Sequence, residues 1–230
     1  MKEVTVWSSY IRINHWLMVI LFSALILTGK SEEDYVQWHF YLGYMLSSLV
    51  LMRLLYGVFG SKGARFRDFI KGPVTLITYI KALFSAKPQH YLGHNPLGAL
   101  MVIGLLLLIL VQVASGLVSS DDVFWYGPLY EWVSDDLQEL LASWHMLVPD
   151  LLLALVAIHL VAVLIHDIGL KERLVRAMIK GKKTCVKASY QDSDLFMPDS
   201  ETDDKPIRGR FIIMLLLSLA WLYWLWQLPI

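Results

Sequence analysis

Seven histidines are the residues in this 230-residue chain best suited to chemistry, and two of them set the scale for the rest. His145 and His159 stand fourteen residues apart within WHMLVPDLLLALVAIHLVAVLIHD, which reads as one membrane-spanning helix over Trp144 to Asp167. At 1.5 Å per residue that spacing is about 21 Å along the axis, and fourteen steps of roughly 100° leave the two side chains about 40° apart around it. Two imidazoles therefore point the same way, one near each side of a hydrocarbon core about 30 Å thick. Two stacked metal sites need such a ruler. A single site does not.

The elements that would carry these residues are membrane spans. The chain is 57% hydrophobic and only 17% charged, against about a quarter charged in an ordinary soluble domain, and its mean hydropathy is +0.53. The excess is concentrated in blocks of about 20 residues, the length of a spanning helix. They run from Tyr10 to Gly29, from His39 to Phe59, from Pro96 to Val118, through the stretch above, and from Phe211 to Leu228. The expected fold is thus an all-α integral membrane protein. The single cysteine, Cys185, excludes an internal disulfide or a Cys-rich cluster, and the absence of C-x-x-C-H excludes covalently attached c-type haem. The start, MKEVTVWSSYIRINHW, lacks the pattern of a removable signal peptide, so the first span is read as retained.

Net charge is zero, so only its distribution informs. The arm before span one holds Lys2 and Arg12, and the loop from Gly60 to Asn95 holds Lys62, Arg65, Arg67, Lys71, Lys81 and Lys87. The segment from Asp167 to Arg210 holds ten basic residues, whereas Ser119 to Ser143 holds none and carries six acids. The first loop has Lys30 against Glu32, Glu33 and Asp34. The positive-inside rule then predicts a cytoplasmic N-terminus and a periplasmic C-terminus in a bacterial inner membrane. Within the basic segment, KERLVRAMIKGKK is expected to lie along an anionic leaflet, and QDSDLFMPDSETDDKP to be a linker. DDLQELLASW, with Leu137, Leu140 and Leu141 on one face, reads as a short interfacial helix leading into span four. No nucleic-acid partner is expected.

Orientation sorts the histidines by depth. His39 and His145 fall near the outer surface, His15 and His159 in the inner leaflet, so each layer holds two imidazoles from different helices. Independent packing histidines have no reason to pair in this way. Two bis-histidine b haems do, since low-spin iron takes one axial nitrogen on each face. Gly43 lies one turn past His39, where a missing side chain admits a porphyrin edge. Arg53, fourteen residues past His39, suits a haem propionate, with snorkelling to the surface as the plainer account. Trp16, Trp38 and Trp144 each adjoin a ligand candidate, and interfacial anchoring explains them equally well.

RINHW and LTG in span one, His39 followed by Gly43 and Arg53 in span two, GHNPLGALM opening span three and the paired histidines of span four resemble the bacterial cytochrome b561 family. The wider group includes the b-type subunits of nickel–iron hydrogenases and the gamma subunits of formate dehydrogenases. The likeness covers roughly residues 7 to 180. It implies a four-helix di-haem bundle over 1–180, axial ligands at His15, His39, His145 and His159, and, outside the usual core, a cytoplasmic linker over 181–210 and a fifth helix over 211–230. It also implies a quinone site beside a haem, placed by analogy at the inner face among His94, Asn95, Arg12 and His166. His94 and Asn95 would alternatively only cap span three ahead of Pro96. His90 reads as an exposed loop residue.

The expected function is electron transfer between membrane quinone and a periplasmic partner, either a c-type cytochrome or a hydrogenase-like or dehydrogenase subunit. Some family members pass electrons from superoxide to quinone instead. That route calls for a basic outer funnel, and the outer loops here are acidic. A non-haem metal transporter or sensor is the alternative of another class. It would need a polar path, and apart from Arg53, Asp150 and the histidines the spans are apolar.

Overall fold

The computed structural model describes residues 2–31, 35–83, 89–121, 124–185, 190–192, 196 and 205–228. Glu32, Glu33, Asp34, Lys87, Asp122, most of the acidic linker and the Cys185 side chain lie outside the described residues. Five helices are long and apolar enough to cross a membrane, as the hydropathy blocks predict. They are α1 (Ser9–Gly29), α2 (Val36–Phe59), α5 (Pro96–Gly116), α6 (Asp135–Leu164) and α8 (Lys205–Gln227). Shorter helices are α3 (Phe66–Phe69), α4 (Pro73–Leu83) and α7 (Leu174–Lys180).

In lipid every backbone group must be satisfied inside the segment, so apolar runs of this length become helices. Hydroxyls on α1 are turned back on their own helix: Ser23 donates to the Val19 carbonyl and Thr28 to that of Ala24, both at 2.9 Å. Boundaries follow local chemistry. Asn95 caps α5, its Oδ1 accepting from the Gly98 amide at 2.7 Å, and Pro96 occupies the first turn, where its missing N–H costs nothing.

Two expectations need correction. The interfacial segment before span four is no separate helix, because α6 runs unbroken for 30 residues from Asp135 to Leu164 with Pro149 inside it. At its end the chain widens into a π-turn, Ile165–Gly169. The start of the expected linker is also more ordered than composition suggests. Strand β1 (Lys2–Thr5) pairs antiparallel with β2 (Lys182–Cys185), Lys2 opposite Cys185 and Thr5 opposite Lys182.

Two compact units make up the chain. The first comprises Met1–Ile13, Leu54–Gly104 and Ile158–Ile213 and contains the sheet, α3, α4, α7 and the π-turn. Gly181 ends α7 with φ +81, and its carbonyl accepts from the Val6 and Trp7 amides. A Cβ there would stand 2.8 Å from the Trp7 carbonyl oxygen, so glycine is required twice over. The second unit comprises Asn14–Arg53, Leu105–Ala157 and Met214–Ile230. In it α8 is fastened to α2 by polar contacts: Ser48 donates to the Ser218 carbonyl at 2.8 Å, and the Trp221 indole to the Ser47 hydroxyl at 3.0 Å. Tyr44, Leu117 and Leu225 form the apolar cluster beside them.

Candidate functional site

In the second unit a cavity of about 520 Å³ is lined by His39, Gly43 and Tyr44 of α2, Gln112, Val113 and Gly116 of α5, and His145 and Pro149 of α6. The His39 and His145 rings face each other with centroids 6.1 Å apart and planes at 88°. Two imidazoles sharing one metal at about 2 Å per bond hold their centroids roughly 6 Å apart. Each Nδ1 already has a partner. His39 Nδ1 lies 3.0 Å from the Thr28 hydroxyl, which itself donates to its own helix. His145 Nδ1 lies 3.2 Å from both the Ser115 hydroxyl and the Gln112 carbonyl. An imidazole that donates from Nδ1 keeps its Nε2 lone pair for a metal and is held in orientation by that bond.

Glycines make room for the rings. A Cβ on Gly29 would stand 3.0 Å from the His39 ring, and one on Gly116 would stand 2.8 Å from that of His145. Gly43 differs, since a Cβ there meets nothing within 4 Å and opens onto the cavity. The rim is polar, with Lys30, Ser31, Ser119, Ser120 and Asp121. Lys30 and Asp150 pair across it at 3.0 Å, but both side chains are more than half exposed, so the pair contributes under about 1 kcal/mol. Sequence reasoning names His39, His145 and Gly43. It misses Thr28, Gly29, Gln112, Ser115 and Gly116, although two polar residues in the aliphatic run of α5 were a signal.

The other candidates are placed as follows. His15 belongs to the second unit and His159 to the first, both half-buried. Arg53 is buried. Trp16, Trp38 and Trp144 are exposed, which suits interfacial anchors rather than walls of a cofactor pocket. In the first unit, Arg12 donates to the Ile179 carbonyl at 2.5 Å and to the Ser9 hydroxyl at 3.0 Å, so it caps the C-terminus of α7. His94 is packed between the Trp7 and Phe69 rings, with centroids at 4.6 and 4.5 Å. His166 sits in the π-turn, its Nδ1 at 3.1 Å from Glu172 Oε2. His90, expected to be merely exposed, reaches the other oxygen of the same carboxylate at 3.0 Å. Glu172 is the residue that sequence reasoning did not single out.

A family model described as prokaryotic cytochrome b561 matches residues 6–181. The chain belongs to the prokaryotic cytochrome b561 family. Among its relatives is a probable Ni/Fe-hydrogenase B-type cytochrome subunit of Bradyrhizobium diazoefficiens, 24% identical over 217 residues, covering 78% of this chain and 85% of the relative. The probable Ni/Fe-hydrogenase 1 B-type cytochrome subunit of Escherichia coli K12 is 23% identical over 78% of this chain and 90% of its own length. That of Cupriavidus necator is 23% identical over 80% and 88%. No solved structure matches. The family makes this cytochrome a multi-pass membrane protein that carries electrons through haem b. The cavity fits that group. Its floor opens at Gly43, its walls are largely apolar, and its two facing imidazoles have Nδ1 engaged. Among the described residues no three His, Cys, Asp or Glu side chains converge as a metal cage.

Proposed function

We propose that the cytochrome holds two b haems, one between His39 and His145 and one between His15 and His159, and conducts electrons between membrane quinone and a periplasmic redox partner. The observation that carries the reading is the facing pair His39 and His145, 6.1 Å apart at their ring centroids across a cavity bordered by three glycines. A haem held by His39 and His145 would supply one-electron transfer there. Thr28 at His39 Nδ1, and Gln112 with Ser115 at His145 Nδ1, fix the orientation of the two rings. The second pair rests on depth in spans one and four, with Arg53 buried on the His39 helix as a partner for a propionate.

The charge pattern favours a cytoplasmic N-terminus and a periplasmic C-terminus in the inner membrane. In that orientation the cavity lies toward the periplasm, and Asp121, Glu131, Asp135, Asp136 and Glu139 form an acidic outer face that steers a basic partner. The relatives are named as hydrogenase subunits, which favours a hydrogenase-like partner over a c-type cytochrome. The region of His94, Asn95, Arg12 and His166 is then the cytoplasmic face, where quinone exchanges protons. Residues 1–180 form the electron-carrying domain, with 181–210 linking it to the helix of 211–230.

Haem content tests the proposal. The purified cytochrome should show a low-spin b-type difference spectrum with two haems per chain, and His159→Ala should leave one, still ligated by His39 and His145. A ratio of one in the unaltered protein, or no haem at all, overturns the reading.

A further inference from the structure

Within the first unit, three unrelated elements deliver side chains to one point. His90 comes from the segment before α5, His166 from the π-turn that ends α6, and Glu172 from the loop between that turn and α7. Glu172 accepts from both imidazoles, His90 Nδ1 to Oε1 at 3.0 Å and His166 Nδ1 to Oε2 at 3.1 Å. The His90 side chain is 36% exposed, whereas Glu172 at 8% and His166 at 12% are nearly buried. His166 follows His159 by seven residues in the same unit.

The backbone goes out of its way to make this arrangement. Lys171 and Arg173, on either side of Glu172, have φ of 57 and 53, the only non-glycine residues with positive φ among those described. Left-handed backbone at non-glycine residues costs of order 1 kcal/mol or more each and persists where surrounding structure demands it. The π-turn is a second departure from regular geometry, a form that recurs at functional sites, and the Glu172 amide is bonded to the His166 carbonyl at 3.1 Å.

We infer that His90, Glu172 and His166 form a proton relay between the aqueous face and the quinone site; this rests on the quinone reading given above. Quinone reduction consumes two electrons and two protons per quinol formed, and quinol oxidation returns them. Haem would supply one-electron transfer and no protons, so the protons need their own path. With both Nδ1 atoms donating, Glu172 is ionised and His166 has just delivered a proton. Tautomer exchange returns the His166 proton to Nε2. His90 then takes a proton from solvent at Nε2 as its Nδ1 proton passes to Glu172 Oε1. The carboxyl turns to give that proton from Oε2 to His166 Nδ1 as His166 releases its own from Nε2. The opposite direction uses the same atoms.

The charges around the carboxylate suit that role. Burial alone would raise the Glu172 carboxyl, but hydrogen bonds from His166 and His90 and the nearby Lys183 charge bring it below its ordinary value, so it accepts protons only in passing. Lys183 of β2 is lowered by burial and supported by Glu172, Asp192 and Asp167, while the Tyr79 phenol of α4 also feels Glu172. A purely structural cluster would gain as much from apolar residues of the same volume, since burying charge has its own cost.

The test uses the full-length holo-cytochrome in lipid nanodiscs. Haem reduction by decylubiquinol is followed by stopped flow across pH, with dithionite as a reductant that bypasses the quinone site. Glu172→Gln and Glu172→Ala should keep their haem and their dithionite reduction, while the quinol reaction slows about a hundredfold, the range of general acid–base catalysis. Formate should restore the Ala variant and not the Gln variant, since only the former leaves space for a small acid. His90→Gln, at the exposed end, should slow the quinol reaction in the same way. Unchanged quinol rates in Glu172→Ala, or a slow Glu172→Ala that formate does not restore beside a His90→Gln of undiminished rate, overturn the relay. If the unaltered cytochrome takes no electrons from quinol, the quinone reading itself fails.

Discussion

A glycine beside a metal-binding imidazole answers a demand for space, and three glycines here answer it in two different ways. Gly29 and Gly116 lie under the His39 and His145 rings, where a methyl group would touch the imidazole itself at 3.0 or 2.8 Å. Gly43 faces open cavity, where a side chain would touch nothing in the protein and would compete only with what the cavity holds. The two kinds of site therefore respond differently to substitution. Gly43→Phe should fold and insert normally, because its added ring has room, yet the purified variant should carry one haem per chain rather than two. Pyridine haemochrome absorbance against protein concentration reads that ratio, and two haems in Gly43→Phe would mean that the cavity is not the cofactor site. Gly43 is legible in the sequence because it stands one turn from His39 on the same helix. Gly29, Gly116 and the Nδ1 partners Thr28 and Ser115 are not, because their value depends on which helix packs across from which ring.

Elements are legible in proportion to how local their causes are. The five long helices follow from runs of apolar residues that must satisfy their own backbone in lipid, and spacing alone finds them. The pairing of β1 with β2 joins residues about 180 positions apart, and no local pattern announces it. The π-turn and the left-handed loop behind it are likewise products of tertiary contact, which explains why Glu172 drew no notice beside the histidines. That loop has a pH dependence of determinate sign. Burial pushes the Glu172 carboxyl up, but hydrogen bonds from His166 and His90 outweigh it and hold the folded value below the unfolded one. The stabilisation is therefore complete above the unfolded carboxylate range and is lost as pH falls through the lower folded value. Hydrogen exchange corrected for intrinsic rate should show the Glu172 amide, bonded to the His166 carbonyl, losing protection in acid. The Ala99 amide at the start of α5, bonded to the Asn95 carbonyl, should keep its own. Equal loss at both would mean that Glu172 does not fasten the turn.

For the molecule as a whole, the direction of electron flow across the membrane depends on which way the chain is threaded. Five crossings by the five candidate spans among the described residues would put the termini on opposite sides. Lysine and arginine then choose between the two threadings, because basic loops resist translocation and acidic ones scarcely matter. The contrast between ten basic residues after Asp167 and none between Ser119 and Ser143 is large, so the choice is strongly biased. Alkaline phosphatase, active only when exported, should therefore be active when fused after Leu228 and inactive when fused after Lys180. A green fluorescent protein that fluoresces only in the cytoplasm should give the reverse pattern. The opposite result at both positions would turn the chain over. It would place the acidic segment from Ser119 to Ser143 in the cytoplasm and the basic segment after Asp167 in the periplasm. The charge on a few loops thus decides which face of the molecule meets which compartment.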